Sequence, residues 1–186
     1  MKTVNRVTIV LLMTMLALGG AAATAQEEDE GGSFQLPVLS SAAILDAEGN
    51  QLGMAAIGDD GEGGVGMVIL VQGLEPGEHG LHLHEQGNCD PAGEKTFEQA
   101  GGHVNPGGTT HPNHAGDYGN LVIDDAGAAL WMGTLDMLTW DNGEMGLADA
   151  DGTALVIHAD PDDMVTDPSG NSGARIACAV LAPPAA

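Results

Sequence analysis

Basic side chains are scarce in this chain of 186 residues. It contains four Lys and Arg against 27 Asp and Glu, a formal net charge of −23 with neutral histidines. Proteins bind nucleic acids and anionic membranes chiefly through cationic side chains, so neither is expected as a partner. The acids are spread along the chain instead of clustered, a pattern typical of a solvated, soluble surface.

Long apolar segments are also few. Residues 7–18 form an apolar run that is shorter than a membrane-spanning helix needs. Lys2 and Arg6 flank it on one side, and the small residues 23–25 follow on the other. This order predicts a secretory signal peptide at residues 1–25, in preference to an uncleaved membrane anchor. The protein is therefore expected to be exported, to the periplasm or the extracellular space, without a membrane anchor after cleavage.

The predicted mature chain has three notable features. Residues 26–34 are acidic and glycine-rich, which predicts a disordered spacer before a domain at 35–183. Only Lys95 and Arg175 remain as cations against 27 acids, a net charge of −25. The chain has two cysteines, and in an exported protein these favour one disulfide over two free thiols.

Strand-length apolar runs alternate with turn signals from about residue 35. Examples are residues 38–45, 66–71, 121–123 and 154–157, and no segment shows a sustained helical period. With 29 glycines, this pattern favours an all-β sandwich or barrel. Two long stretches, 86–117 and 159–173, do not fit strands. Both are interpreted as functional loops because they carry chemically active residues.

Six of the seven histidines form two groups. His82 and His84 are two residues apart in a strand-like run, so they project from one face while Leu81 and Leu83 face the core. His158 ends a later apolar run and could complete a site with them. Imidazole-rich sites with an open position suit copper.

A second group follows in the first long loop. Three imidazoles and a carboxylate supply the four ligands of a closed tetrahedral zinc site, and they are His103, His111, His114 and Asp117. One histidine serving both groups would bridge two ions. The alternative is a histidine-rich loop that scavenges metal without a defined site.

Five motifs in this order resemble the copper/zinc superoxide dismutases, and closely resemble their exported bacterial branch. They are HGLHLHE at 79–85, AGGHVNP at 100–106, HPNHAGDYGN at 111–120, LVIHADPDD at 155–163 and GNSGARIACAV at 170–180. The resemblance covers essentially residues 38–181. It implies an eight-stranded Greek-key β-barrel or sandwich with two long functional loops.

The resemblance also implies roles for individual residues. His82, His84 and His158 match copper ligands, His103 the imidazole bridging copper and zinc, and His111, His114 and Asp117 the other zinc ligands. Arg175 matches the arginine that draws in superoxide, and with His103 it is the expected catalytic pair. Asp162 matches a carboxylate linking a copper-ligand and a zinc-ligand histidine, His79 a structural histidine, and Cys89 and Cys178 a disulfide.

The implied activity is the conversion of superoxide to oxygen and hydrogen peroxide by alternate reduction and reoxidation of copper, with a structural zinc. The alternative is a non-catalytic copper-binding or copper-delivery protein on the same fold, because a fold alone does not establish function. The resemblance leaves the oligomeric state open between a monomer and a homodimer. Pro168 and Ser169 stand where many members have lysine and threonine, so weak positive steering of the anionic substrate is expected.

Overall fold

The computed structural model describes residues 38–59 and 64–184. The predicted signal peptide and spacer lie outside these ranges. Eight strands form the described fold: β1 Val38–Leu45, β2 Gln51–Asp59, β3 Val65–Gln72, β4 Gly77–His84, β5 Asp117–Ile123, β6 Ala128–Thr134, β7 Thr153–His158 and β8 Arg175–Ala182. The only helix among the described residues is a single 3₁₀ turn at Glu98–Ala100, so none there is long enough to cross a bilayer. The all-β prediction is confirmed.

The strands pair in the order β5-β4-β7-β8-β1-β2-β3-β6, and every pairing is antiparallel. Neighbours such as β3 with β6 and β4 with β7 are not consecutive in the chain, which is the crossover connection of a Greek key. The edge strands approach each other. The rings of Tyr118 on β5 and Trp131 on β6 pack edge to face, with centroids 5.8 Å apart. The sheet is therefore a nearly closed barrel, as the family resemblance implied.

Alternation along β4 and β7 sets the direction of the functional side chains. Leu81 and Leu83 point into the barrel core with Leu155 and Ile157, and the register pairs these residues across the two strands. The residues between them therefore face outward. Yet all of β7 and the last six residues of β4 are buried, because loops cover this outer face. A covered outer sheet face gives polar side chains a rigid, dry setting.

The covering loops run between β4 and β5 and between β7 and β8, which matches the two long loops expected from the sequence. A disulfide between Cys89 and Cys178 ties the first loop to β8, with the Cα atoms 5.7 Å apart. Next to this disulfide, Phe97 packs with Ala100 and Val156 in a second small core. The predicted disulfide is confirmed.

The segment between β6 and β7 contains no strand. Its apolar side chains do not alternate, and Leu135, Leu138 and Leu147 are instead buried as part of the barrel core. The β-pairing in this segment is limited to one isolated bridge, between Thr139 and Gly146. Strand boundaries could not be placed here from the sequence because these residues fill core space from a turn-rich loop.

Candidate metal centre

Four imidazoles meet on the outer face of β4 and β7. His82 and His84 come from β4, His158 from the end of β7, and His103 from the first long loop. One ring nitrogen from each lies within 4.8 Å of the others. A bridge between His84 and His103 brings the loop back against β4 and closes the group.

The nitrogens that converge in this group have no hydrogen-bond partner among the described residues. They are His82 Nδ1 and the Nε2 atoms of His84, His103 and His158, and all are buried. Buried polar atoms are normally satisfied, so four unpaired nitrogens aimed at one point fit the ligand set of a metal ion. All-imidazole coordination suits copper.

A second group surrounds the carboxylate of Asp117. Its Oδ1 lies 2.6 Å from His103 Nδ1, and its Oδ2 lies 3.1 Å from both His111 Nδ1 and His114 Nδ1. The His111 nitrogen is close to the carboxylate but out of line for a hydrogen bond. Three Nδ1 atoms and one carboxylate oxygen are the four donors that a closed zinc site requires.

Hydrogen bonds to β4 hold the loop that carries this second group. Val104 N–H donates to the carbonyl of Leu83, and Leu83 N–H donates to the carbonyl of Gly116, both at 2.9 Å. A Cβ at position 116 would collide with the Leu83 carbonyl oxygen, so this close return requires glycine. His103 and Asp117 are thereby placed next to each other along the edge of β4 that faces away from β7.

His103 belongs to both groups. Its Nδ1 faces Asp117 and its Nε2 faces the other three imidazoles. An imidazole has two nitrogens on opposite sides of the ring, so one deprotonated ring can serve two ions. The two groups are therefore parts of a single centre.

Asp162 connects the two groups from the second long loop. Its Oδ2 accepts from His82 Nε2 at 2.8 Å, and its Oδ1 accepts from His111 Nε2 at 2.9 Å. Each ring thus carries its proton on Nε2 and leaves Nδ1 free toward its group. Such carboxylates fix the tautomer and orientation of metal-binding histidines. The tautomer and orientation of His84 are fixed in the same way, since its Nδ1 donates to the carbonyl of Gly101 at 3.0 Å.

Asn120 is a contributor that sequence reasoning missed. Its side-chain carbonyl accepts from the N–H of Asp162 at 2.7 Å, and its amide donates to the Asp162 carbonyl at 3.0 Å. Both ends of the amide therefore hold the backbone whose carboxylate orients two rings. Asn120 lies three residues after Asp117, but no spacing rule signals this contact because its partner is 42 residues away.

Burial favours the neutral form of three imidazoles in the first group. Desolvation lowers the pKa of His82 to about 4 and that of His158 to about 3, and it holds the pKa of His84 well below the ordinary value. Burial acts to raise the pKa of Asp117, but hydrogen bonds from the His103 ring and the His114 backbone outweigh it and bring the pKa to about 2. Neutral imidazoles and an ionised carboxylate are the forms that bind metal.

Arg175 lies at the base of a cavity of about 660 Å³ that opens over His84, His103 and His158. Two of its guanidinium nitrogens donate to backbone carbonyls of the first loop, those of Phe97 and Gly101, each at 2.6 Å. The cavity wall also includes Lys95 together with Glu94 and Glu98.

His79 lies outside both groups. Its Nδ1 is 2.8 Å from the carbonyl oxygen of His158, and its Nε2 is 2.9 Å from that of Glu75. The ring therefore links the turn before β4 to the end of β7, and it contributes no nitrogen to either group.

The comparisons with known proteins agree with this geometry. The sequence model of the copper/zinc superoxide dismutase family matches residues 52–181. The chain is 39% identical to superoxide dismutase [Cu-Zn] 2 of Aquifex aeolicus over 157 residues, covering 80% of this chain and 90% of that one. It is 35% identical to superoxide dismutase [Cu-Zn] of Caulobacter vibrioides, covering 90% and 99%.

A solved structure of a superoxide dismutase-like protein from Bacillus subtilis superimposes with a TM-score of 0.71 at 32% identity, covering 77% of this chain and 99% of that one. Copper and zinc are the metals of the matched family, and the two ligand groups fit them. The chain belongs to the copper/zinc superoxide dismutase family.

Proposed function

We propose that this protein is an exported superoxide dismutase that converts superoxide to oxygen and hydrogen peroxide. The observation that carries the proposal is a shared imidazole, His103, beside a cavity whose base holds Arg175. Copper would be held by His82, His84, His103 and His158, and zinc by His103, His111, His114 and Asp117. Copper supplies the one-electron redox chemistry, and zinc, which has no redox chemistry, holds the shared ring in place.

Arg175 binds and orients the anionic substrate. Its two hydrogen bonds to the Phe97 and Gly101 carbonyls fix the guanidinium plane and leave other N–H donors for superoxide. A charge fixed in advance costs little reorganisation when the anion arrives.

His103 delivers a proton. Hydrogen peroxide formation consumes two protons, and His103 Nε2 faces the cavity-side group where reduced oxygen would form. We assign one proton to this nitrogen and the other to solvent in the cavity. Asp162 acts as a positioning residue because it holds the rings of His82 and His111 in the two groups.

Two features support export. Residues 1–25 have the pattern of a secretory signal peptide. The Cys89–Cys178 disulfide is the bond expected in an oxidising compartment, which the periplasm and the extracellular space both provide. Recovery of mature protein beginning at Gln26 from the periplasm or medium would support this assignment, and an uncleaved N-terminus would contradict it.

The test combines metal analysis with an activity assay. We expect one copper and one zinc per chain together with dismutase activity. His158→Ala should abolish activity and copper binding, since it removes one of four imidazoles. Arg175→Ala should lower activity at least tenfold with copper still bound. Lys95→Ala is the matched control, because it removes a cavity cation that is not held by two carbonyls. Its dismutase activity should fall less than that of Arg175→Ala.

A fully metal-loaded protein without activity would refute the enzyme assignment. That result would favour the second candidate, a non-catalytic copper-binding protein on this fold. The observation behind this candidate is that one relative, 32% identical over 188 residues, is named superoxide dismutase-like protein YojM of Bacillus subtilis.

A further inference from the structure

One ring nitrogen of the second metal group lacks the contact that its neighbours have. His103 Nε2 faces the first group, and His111 Nε2 donates to Asp162 at 2.9 Å. His114 Nδ1 faces Asp117, but no described residue hydrogen-bonds to His114 Nε2. A metal-bound histidine almost always donates its outer N–H to a carboxylate, a carbonyl or water, and that contact makes the ring a stronger ligand. The surroundings of His114 Nε2 therefore bear on how the group binds zinc.

Asp167, in the loop between β7 and β8, reaches both of these loop-borne histidines. Its Oδ1 accepts from the backbone N–H of His111 at 2.8 Å. The same oxygen lies 3.9 Å from His114 Nε2, and no carboxylate of another described residue comes within 4 Å of that nitrogen. One oxygen thus holds the backbone of His111 and faces the ring of His114.

Hydrogen bonds within the loop fix the place of Asp167. The Asp163 carboxylate accepts from the N–H groups of Val165 and Thr166 at 2.9 and 2.8 Å. On the other side of Asp167, the N–H of Gly170 donates to the Thr166 carbonyl at 2.6 Å. Asp167 therefore lies between two tied segments of its own loop, and its approach to the zinc group does not depend on a flexible chain.

We propose that Asp167 is a positioning residue that sets how tightly the second group binds zinc. The inference rests on the zinc ligands of the proposed function, but not on dismutase activity. When zinc takes Nδ1 of His114, the remaining ring proton is on Nε2, the side that faces Asp167. The carboxylate favours that tautomer and stabilises the positive charge that zinc induces on the ring. Its hydrogen bond to His111 keeps the two ligands in place beside each other.

Distance and exposure determine the size of the effect. A separation of 3.9 Å is too long for a direct hydrogen bond, so Asp167 acts on the His114 ring through its charge. The His114 side chain is 6% exposed, whereas that of Asp167 is 55% exposed, so water screens part of the attraction. Loss of a contact that supports a metal ligand lowers metal affinity by about 10- to 100-fold. We expect the lower end of this range because of the screening.

The zinc affinity of the copper-loaded protein tests the proposal. Competition with a zinc-selective chromophoric chelator gives the dissociation constant. Asp167→Asn keeps an oxygen that accepts from the His111 N–H and removes only the charge, so zinc should bind about tenfold more weakly. Asp167→Ala removes both contacts, so its zinc affinity should fall further than that of Asp167→Asn.

Two further measurements separate a positioning role from a merely structural one. Metal-free Asp167→Asn should unfold at the wild-type urea concentration, because the backbone contact is kept. Cobalt(II) bound in place of zinc should give the same visible absorption spectrum in the wild type and in Asp167→Asn, because the four ligands are unchanged, but saturation should need about tenfold more cobalt. A loss of zinc affinity that came with an equal loss of metal-free stability would overturn the positioning role.

Asp125→Asn is the matched control. It removes the same charge from the turn between β5 and β6, at the far end of β5 from Asp117, and it should bind zinc as the wild type does. Equal zinc affinities of Asp167→Asn and Asp125→Asn would overturn the proposal and leave the proposed function intact. A copper-loaded wild type that binds no zinc would overturn the zinc ligand set of the proposed function together with this proposal.

Discussion

At the residue scale, three imidazoles of the centre are oriented by what the ring nitrogen outside the metal group contacts. His82 and His111 donate to Asp162, and His84 donates to the Gly101 carbonyl. These bonds fix which nitrogen carries the proton and turn the other toward its group. The protein therefore orients these ligands before any ion binds, and it does so with contacts that burial makes difficult to replace by water.

Burial of two of these imidazoles makes the metal-free protein sensitive to acid. The folded pKa values of His82 and His158, about 4 and about 3, lie below the ordinary value of 6.5. Between pH 6.5 and 4 the unfolded chain therefore binds more protons, so the free energy of unfolding falls as pH falls. The expected slope is about 1.4 kcal/mol per pH unit for each histidine. Urea denaturation of metal-free protein at pH 7, 6, 5 and 4 measures it.

Two comparisons separate the contribution of the buried histidines to this pH dependence from that of the carboxylates. His158→Asn should remove that histidine's share of the slope between pH 6 and 4. The lowered pKa values of Asp117 and Asp162 act in a lower window, because their stabilisation is lost only as pH falls below the ordinary 3.8. A stability that is flat between pH 6.5 and 4 would contradict the expected burial of neutral rings.

At the element scale, the first long loop connects the disulfide, the arginine and the shared imidazole. Phe97 in this loop has a φ of 55°, in the left-handed region that a bulky side chain rarely adopts. Its ring is 1% exposed and packs against Val156 and Cys178. The backbone turn at this position aims the Phe97 carbonyl at Arg175. Burial of the ring offsets the cost of the unusual backbone, so Phe97 acts as a positioning residue for the guanidinium.

Phe97→Ala is expected to lower the free energy of unfolding by about 3 kcal/mol, because it leaves a cavity in the small core. It should also loosen Arg175, which would weaken the binding of a small anion such as azide and slow turnover. Copper and zinc content should stay unchanged, since no metal-group residue is altered. Azide titration followed by copper absorption, together with metal analysis, measures both effects.

Phe97→Leu is the control because it keeps most of the buried volume and the same carbonyl. Its azide affinity should lie near the wild-type value. If Phe97→Ala lost stability but kept full azide affinity, the ring would serve only packing and the positioning role would be wrong.

At the scale of the whole molecule, the surface charge opposes the substrate. Superoxide is an anion, and the exported chain would carry 27 acids against two cations, Lys95 and Arg175. Both cations line the cavity, but Glu94 and Glu98 line it with them. Local attraction is therefore partly cancelled at the cavity mouth, while the rest of the surface repels the anion over the Debye length.

We expect kcat/KM to rise with added salt, in contrast to a well-steered enzyme whose rate falls. The Debye length shrinks from about 30 Å at 0.01 M to about 10 Å at 0.1 M, so global repulsion is screened first. Pulse radiolysis at nanomolar protein measures the dependence. Glu94→Gln should raise the rate at low salt more than Glu48→Gln, which removes the same charge from a turn that does not line the cavity. A rate that falls steeply with salt would contradict this expectation.

The sequence alone determined which residues could form strands and which could bind metal. Alternation placed His82 and His84 on one face of β4, and the spacing of His103, His111, His114 and Asp117 indicated one loop-borne group. These signals are local, because side-chain direction in a strand and ligand type depend on neighbouring residues. The fold class, the disulfide and the family followed from the same patterns.

Only the tertiary structure decided what depends on distant segments. The resemblance implied that Asp162 links two histidines, but the support that Asn120 gives Asp162 across 42 residues had no signal in the sequence. The pairing of Phe97 with Arg175 likewise joins a loop to β8. The exposed apolar side chains of β2, β3 and β6, such as Met54, Leu70 and Leu130, come to lie side by side only through the strand register. Such contacts are set by how the barrel closes and packs, and no local pattern in the chain encodes them.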